Sequence, residues 1–465
     1  MNDAQNTTRQ FGLFTLVWPI FIESLLRILF GNVDTFMLSS YSDNAVAGVG
    51  ASSQYVSVII LFFQVVSSGS AIIISQYLGA KNNKKASEVA IVSIAFNTVL
   101  GLLISFLLFL FAGKILGIMN FQKEIYDHAR EYLTIIGTFS FITSISITAS
   151  DILRSHGFVK YPMYVNMAAN VLNIIGNSIF IYGLFGAPVL GVKGVAISTV
   201  SSQLIGLIVI MVILIRKIDI DLSIKNIVSL PLNTVKEVLA QVLKIGGPAA
   251  GESLSYNISQ IVITAIVGTM GAYALTTKVY VFNLMLFIML SSLSIGQGTQ
   301  IIVSRLIGAG KMDDAYKTSL RSLRIAIIIS LSVAVLFAIF GRFILDLFTD
   351  DLNILATGSL LLIIAVLIEP GRACNIILGS SLKGAGDAKY ILILGLVFMW
   401  SIAVSMSYVL GVKLHLGLVG VWISFGIDEW IRGIFMFHRW KSRAWEKFSV
   451  TKKDVEASTL VQLLD

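Results

Sequence analysis

Residues 24–38, SLLRILFGNVDTFML, are mostly Leu, Ile, Phe and Val, yet they hold Arg27 and Asp34, and Glu23 stands just before them. At about 100° per residue of helix these three charges lie within about 40° of one another and form one stripe. Each unpaired charge in hydrocarbon costs several kcal/mol, so charges on such a helix must face a cavity or one another. Glu23 and Arg27 are spaced i, i+4 in the favourable order and are expected to neutralise each other. Arg27 cannot also serve Asp34, two turns on. Asp34 is therefore the carboxylate that calls for an external cation or a proton. A second stripe runs through YVNMAANVLNIIGN, where Asn166, Asn170, Asn173 and Asn177 share a helix face. Amide oxygens are hard ligands for Na⁺ and accept hydrogen bonds from a protonated carboxyl. Plain interhelical bonding is the alternative, favoured for Asn166 and Asn170 over Asn173 and Asn177.

The second half of the chain is polar in different places. Glu252 and Tyr256 share a helical face, Lys278 lies in an apolar run, EPGR supplies Glu369 and Arg372, and DEWIR supplies Asp428, Glu429 and Arg432. Both signs occur together. An internal salt-bridge network is the structural reading, and direct handling of substrate or protons is the functional one. GAGK at 308–311 lacks the earlier glycine and the following Ser or Thr of a phosphate loop. There is no HExxH, His128, His156, His415 and His438 are not clustered, and no Ser/His/Asp arrangement is seen. Cys374 is the single cysteine, which rules out an intrachain disulfide and reads as a small buried hydrophobe. These residues suit a non-enzyme without cofactor, driven by an ion gradient.

The elements that carry them must lie in a bilayer. The chain of 465 residues is 56% hydrophobic, only 13% charged and has a mean hydropathy of +0.86. A soluble surface alone asks for about 25% charged residues. Apolar stretches of about 20 residues or more recur from end to end. They predict twelve transmembrane helices, at 12–38, 46–77, 86–112, 124–152, 160–183, 191–215, 241–268, 272–304, 314–340, 353–382, 388–411 and 416–438. The polar start, MNDAQNTTRQ, carries no cleavage site, so the first span is expected to be retained. With both termini in the cytoplasm, about 24 of the 34 Lys and Arg fall on cytoplasmic segments. The net charge of +8 then needs no nucleic acid.

The chain also repeats itself. ISQYLGAKNNKKA from Ile74 and VSRLIGAGKMDDA from Val303 are offset by 229 residues. The same offset carries Pro19, Glu23, Ser24 and Leu25 onto Pro248, Glu252, Ser253 and Leu254, and Leu153, Gly157, Lys160 and Tyr161 onto Leu382, Gly386, Lys389 and Tyr390. GVKGVAIS (191–198) matches GLVGVWIS (417–424) after a three-residue slip. The fold class is thus an all-α polytopic membrane protein, a tandem duplication of a six-helix bundle. The expected divisions are an N-lobe at 1–215, a cytoplasmic linker at 216–236, a C-lobe at 237–440 and a cytoplasmic tail at 441–465. Six spans per unit make the repeats parallel, a geometry that favours a substrate cavity between two lobes.

The spacing from Pro19 to Asp34 with its VDT, GAK and GAG after the second and eighth spans, LN(x3)N(x5)G from Leu172 to Gly183, and L(K/R)xxGD at 382–387 together resemble the MATE family, multidrug and toxic compound extrusion, over nearly the whole chain. The resemblance implies an exporter of organic cations in exchange for Na⁺ or H⁺. It implies a cation site at Asp34, Asn173, Asn177 and Thr199, with Asp34 the candidate Na⁺ ligand, and a helix bend at Pro19. The family's fifth-helix aspartate is Asn177 here. A C-lobe Na⁺ site of the kind found in some members would fall on Tyr256 and Arg372, which is a poor donor set for Na⁺ and suggests a divergent branch.

The expected function is secondary active efflux of organic, cationic, amphipathic molecules against H⁺ or Na⁺. The protein should be a monomer in the cell (inner) membrane, with a small-molecule substrate, lipid around it and no nucleic acid. The alternative is a lipid-linked precursor flippase, with Arg372 and Lys278 meeting a pyrophosphate.

Overall fold

The computed structural model describes residues 12–30, 33–117, 119, 121–218 and 229–450. The polar N-terminus, much of the predicted linker and the end of the predicted tail lie outside the described residues. Fourteen α-helices and no strand occur among the described residues: α1 Leu13–Phe30, α2 Val33–Ser39, α3 Asp43–Gly79, α4 Asn83–Gly117, α5 Lys123–Thr138, α6 Ser140–Ser155 and α7 Lys160–Tyr182. They continue as α8 Gly191–Ile218, α9 Leu232–Gly268, α10 Ala272–Gly308, α11 Met312–Asp346, α12 Leu352–Gly384, α13 Ala388–Phe398 and α14 Gly417–Lys441. The span that begins as α13 runs on as π-helical turns, Met399–Val404 and Ser407–Lys413.

Two predicted spans are each made of two helices. The first, 12–38, is divided into α1 and α2. The fourth, 124–152, is α5 and α6, bent by 50°. Among the described residues nine helices are long and apolar enough to cross a membrane, or ten with that bent pair. The two further spans of the twelve-helix layout are α9 and α14. They are diluted by Glu252, Tyr256 and Asn257 in one and by Asp428, Glu429 and Arg432 in the other. Helix ends follow local chemistry. Asp351 caps α12 by accepting from the Asn353 amide at 2.8 Å, and Gly183 ends α7 at φ 68°, a left-handed turn that a side chain would strain.

The helices form two compact units. One comprises Ile22–Ile74 and Asn83–Gly246, the other Met1–Phe21, Ser75–Asn82 and Gly247–Asp465. In the first, Ala45, Val49, Ile181 and Val195 are fully or almost fully buried together. In the second, Trp422, Leu361, Leu362, Val281 and Ile368 form one core, and Trp440, Trp445, Ile377 and Leu382 another.

Within this second unit the duplication shows as a reciprocal contact. A Cβ on Gly79 would sit 2.0 Å from the Arg305 carbonyl oxygen, and one on Gly308 would sit 1.9 Å from that of Gln76. Gly79 and Gly308 are repeat mates, as are Gln76 and Arg305. Backbones this close leave no room for any side chain, which explains why the matched Gly-Ala motifs carry glycine at that point.

Candidate functional site

In the unit of the first half, α2 supplies Asp34, α7 supplies Asn173 and Asn177, and α8 supplies Thr199. Asn177 is fully buried, and its Nδ2 donates to Asp34 Oδ1 at 2.5 Å and to Asn173 Oδ1 at 3.5 Å. Asn173 Nδ2 donates to Thr199 Oγ1 at 3.0 Å, and that hydroxyl in turn donates to the Val195 carbonyl at 2.9 Å. The four residues expected from the resemblance thus form one connected cluster. Asn177 Oδ1 is buried without a hydrogen-bond partner among the described residues. With one carboxylate and amide oxygens converging, the cluster can hold a proton on Asp34 or supply hard oxygen ligands to a monovalent cation. Tyr132, on α5, is buried in the same core as Ile181 of α7 and Val195 of α8 and was not found from sequence. Pro19 is buried within α1, which continues helically through it.

The pairing expected between Glu23 and Arg27 is not what the structure has. Glu23 Oε1 accepts from Arg154 Nη2 at 2.5 Å and from Asn166 Nδ2 at 2.6 Å. Arg154 also bonds Asp151 at 2.6 Å, and Ser67 donates to the same Asp151 carboxylate. Arg27 instead donates to Ser24 Oγ at 3.2 Å and is exposed. A partner 131 residues away wins because α6 delivers a guanidinium that satisfies two carboxylates at once, whereas the i, i+4 option satisfies one.

The unit of the second half repeats that arrangement. Lys383 Nζ donates to Glu252 Oε2 at 3.1 Å, again 131 residues apart, and these residues are the repeat mates of Arg154 and Glu23. The predicted polar residues Glu369, Arg372, Asp428, Glu429 and Arg432 do form a network. Arg372 holds Glu369 at 2.5 Å and Glu429 at 3.5 Å, while Arg432 holds Asp428 at 2.6 Å and Glu429 at 3.3 Å. Tyr256 and Arg372 line one cavity with Asp428, Glu429 and Arg432, whose other walls include Phe282, Met285, Met289, Met399 and Phe425. Lys278 stands apart and donates to Thr264. Cys374, expected to be buried, is only half-buried. Outside the spans, burial raises the Asp387 carboxyl above the ordinary aspartate value, and Arg439, 2.8 Å away, opposes that rise. Among the described residues no three His, Cys, Asp or Glu side chains are grouped to hold a metal.

The MatE family profile matches residues 19–179 and again 248–409. The two matches begin 229 residues apart, which is the internal repeat offset. The chain is 45% identical to Uncharacterized transporter YisQ of Bacillus subtilis over 94% of its own length and 95% of that protein. It is 26% identical to Probable multidrug resistance protein NorM of Thermotoga maritima, over 95% and 94% of the two chains. Among solved structures, a MOP superfamily transporter from Pyrococcus furiosus superposes with a TM-score of 0.85 at 21% identity, covering 94% of this chain and 97% of that one. An outward-facing multidrug resistance MATE family transporter gives 0.84 at 22%, covering 93% and 95%, and with the first supports the fold alone. Two family matches in register with the duplication and a 45% identical relative along almost the full length establish that this chain belongs to the MatE family of transporters.

Proposed function

We propose that the protein is a secondary active efflux transporter, exchanging organic, cationic, amphipathic molecules for H⁺ or Na⁺. The multidrug resistance named for its relatives supports export as the direction. The observation that carries the coupling is the cluster at Asp34. Among the described residues it is a lone carboxylate bonded to Asn177, with an unpartnered amide oxygen beside it and no basic side chain paired with it. In this reading Asp34 binds the coupling ion, assisted by Asn173, Asn177 and Thr199, and the helix at Pro19 responds. Residues 1–215 and 237–440 act as the two lobes in a cell membrane, with both termini inside and the protein working as a monomer. Transport follows only if ion and substrate prefer different conformational states.

The flippase alternative has less support. Arg372 is taken up by Glu369 and Glu429, and Lys278 lies buried against Thr264, so neither is free for a pyrophosphate. Vesicles bearing the purified protein test both ideas. A cationic dye should exchange against an imposed H⁺ or Na⁺ gradient, and Asp34→Asn should abolish that exchange while leaving the protein inserted. Full exchange by Asp34→Asn, or translocation of a labelled polyprenyl lipid in place of the dye, rejects the proposal.

A further inference from the structure

Arg27 is a cation deep in a span with no carboxylate of its own. It lies about 21 Å of helix from Leu13, with α2 still ahead of it, too far for its guanidinium to snorkel back to that end. Nor does it face lipid. The exposed apolar residues of α1, Phe14, Trp18 and Leu29, fall within about 60° of one another, and Arg27 lies about 140–180° away from them. It is exposed on the side of α1 that carries Glu23. Among the described residues the carboxylates that could answer it are already engaged. Glu23 takes Arg154 and Asn166, Asp151 takes Arg154 and Ser67, and Asp34 takes Asn177. Only the neutral Ser24 hydroxyl, at 3.2 Å, accepts from Arg27. A cation so placed needs water or an anion beside it.

The register of α7 fixes what stands opposite. Two bonds join the first span to α7, Glu23 with Asn166 and Asp34 with Asn177, and in both the partners are 143 residues apart. The first span and α7 therefore run parallel in one register, and the same step carries Arg27 onto Asn170. Asn170, expected to bond between helices, is half-buried and makes no side-chain hydrogen bond among the described residues. A guanidinium fork and an amide thus share one level of the fold, bracketed by two bonded pairs and themselves unbonded. Both supply N–H donors, and the acceptor that matches a guanidinium fork is an oxyanion, a carboxylate or a phosphate. A metal cation would be repelled by Arg27.

We propose that Arg27 and Asn170 form a carboxylate-binding site for the transported molecule, so that the preferred substrates are zwitterions, organic cations that also carry a carboxylate. This rests on the exchange transport proposed above. A xanthylium dye supplied as its free acid and as its methyl ester tests it, because the two differ in one anionic group. The quantity read is the KM of the ester divided by that of the acid. It should exceed one in wild type, fall about tenfold in Arg27→Gln, the scale of a charge-assisted hydrogen bond, and fall about fivefold in Asn170→Leu. A ratio that either folded variant leaves unchanged overturns the site. Should Arg27→Gln fail to insert, Asn170→Leu decides alone. The fall should be the same in vesicles of phosphatidylcholine and in vesicles with added phosphatidylglycerol; a fall seen only without the anionic lipid gives the site to a headgroup phosphate and overturns the substrate assignment. A wild type that exchanges neither dye defeats the transport reading, and equilibrium binding of the same two dyes in micelles, with the same expected falls in the ratio of Kd values, then decides the site.

Discussion

Replacing Arg154 by methionine tests whether the matched ion pairs differ in weight as their surroundings say. Arg154 answers two carboxylates, Glu23 at 2.5 Å and Asp151 at 2.6 Å. Its removal leaves both without a cation, so the loss should reach the upper end of the range for breaking a buried pair, about 5 kcal/mol. Glu23→Gln keeps Arg154 on Asp151 and should cost about 1–3 kcal/mol, the range for a disturbed buried hydrogen bond. The repeat mate behaves differently. Lys383 meets a single carboxylate, at 3.1 Å, with side chains 24% and 19% exposed against 19%, 9% and 23% for Arg154, Glu23 and Asp151. One longer contact to one carboxylate, more than any difference in exposure, holds the loss in Lys383→Met to about 1 kcal/mol. The gap of about 4 kcal/mol between Arg154→Met and Lys383→Met is roughly a thousandfold in the folded-to-unfolded ratio. Reversible unfolding of each variant by SDS in mixed micelles, followed by tryptophan fluorescence, measures it. Equal losses for the two basic residues, or a Glu23→Gln loss matching that of Arg154→Met, would refute the reasoning.

Other perturbations are sharper still in sign. Gly308→Ala places a methyl where only 1.9 Å separates it from the Gln76 carbonyl oxygen, so the yield of folded protein should collapse; Gly247→Ala, with nothing within 4 Å, should be neutral or raise thermal stability slightly. Thr199→Val removes the acceptor of Asn173 Nδ2, at about 1 kcal/mol. The ion concentration that half-saturates efflux should therefore rise about fivefold, and an unaltered ion dependence would detach Thr199 from the site. Trp445→Ala empties a fully buried position stacked at 4.3 Å on Trp440. It should cost about 3–5 kcal/mol, seen as a fall of several degrees in apparent melting temperature.

Much of this architecture is written in the chain at low resolution. Apolar length locates the spans, because a bilayer imposes one scale on all of them, and the 229-residue offset reveals the duplication, because the same motifs recur in order. Asp34, Asn173 and Asn177 follow from helical periodicity together with the resemblance. The partner of Glu23 does not, since the i, i+4 rule sees only one helix and the true partner arrives from another. A signal was nevertheless present. LRSHG at 153–157 aligns with LKGAG at 382–386, so a basic residue occupies the same place in both repeats, as an acidic one does at Glu23 and Glu252. The bend between α5 and α6 falls at Phe139, two residues past Gly137, a local cue that a reading by apolar length alone passes over. Nor could a linear reading assign the three carboxylates of α12 and α14 to two arginines, because that balance depends on which side chains share a wall.

Gln76, at the end of α3, is fully buried. Its amide donates to the Gly384 carbonyl at 2.9 Å, and its oxygen accepts from the Val450 amide at 2.9 Å, 374 residues further along. During synthesis that side chain waits through nearly the whole chain before its second bond can form. A ribosome stalled ahead of residue 450 leaves a buried amide oxygen unanswered in an otherwise inserted protein. Val450 thus completes a pair of bonds that begins at residue 76, and a chain truncated ahead of it should be less stable than the full chain by about 1–3 kcal/mol.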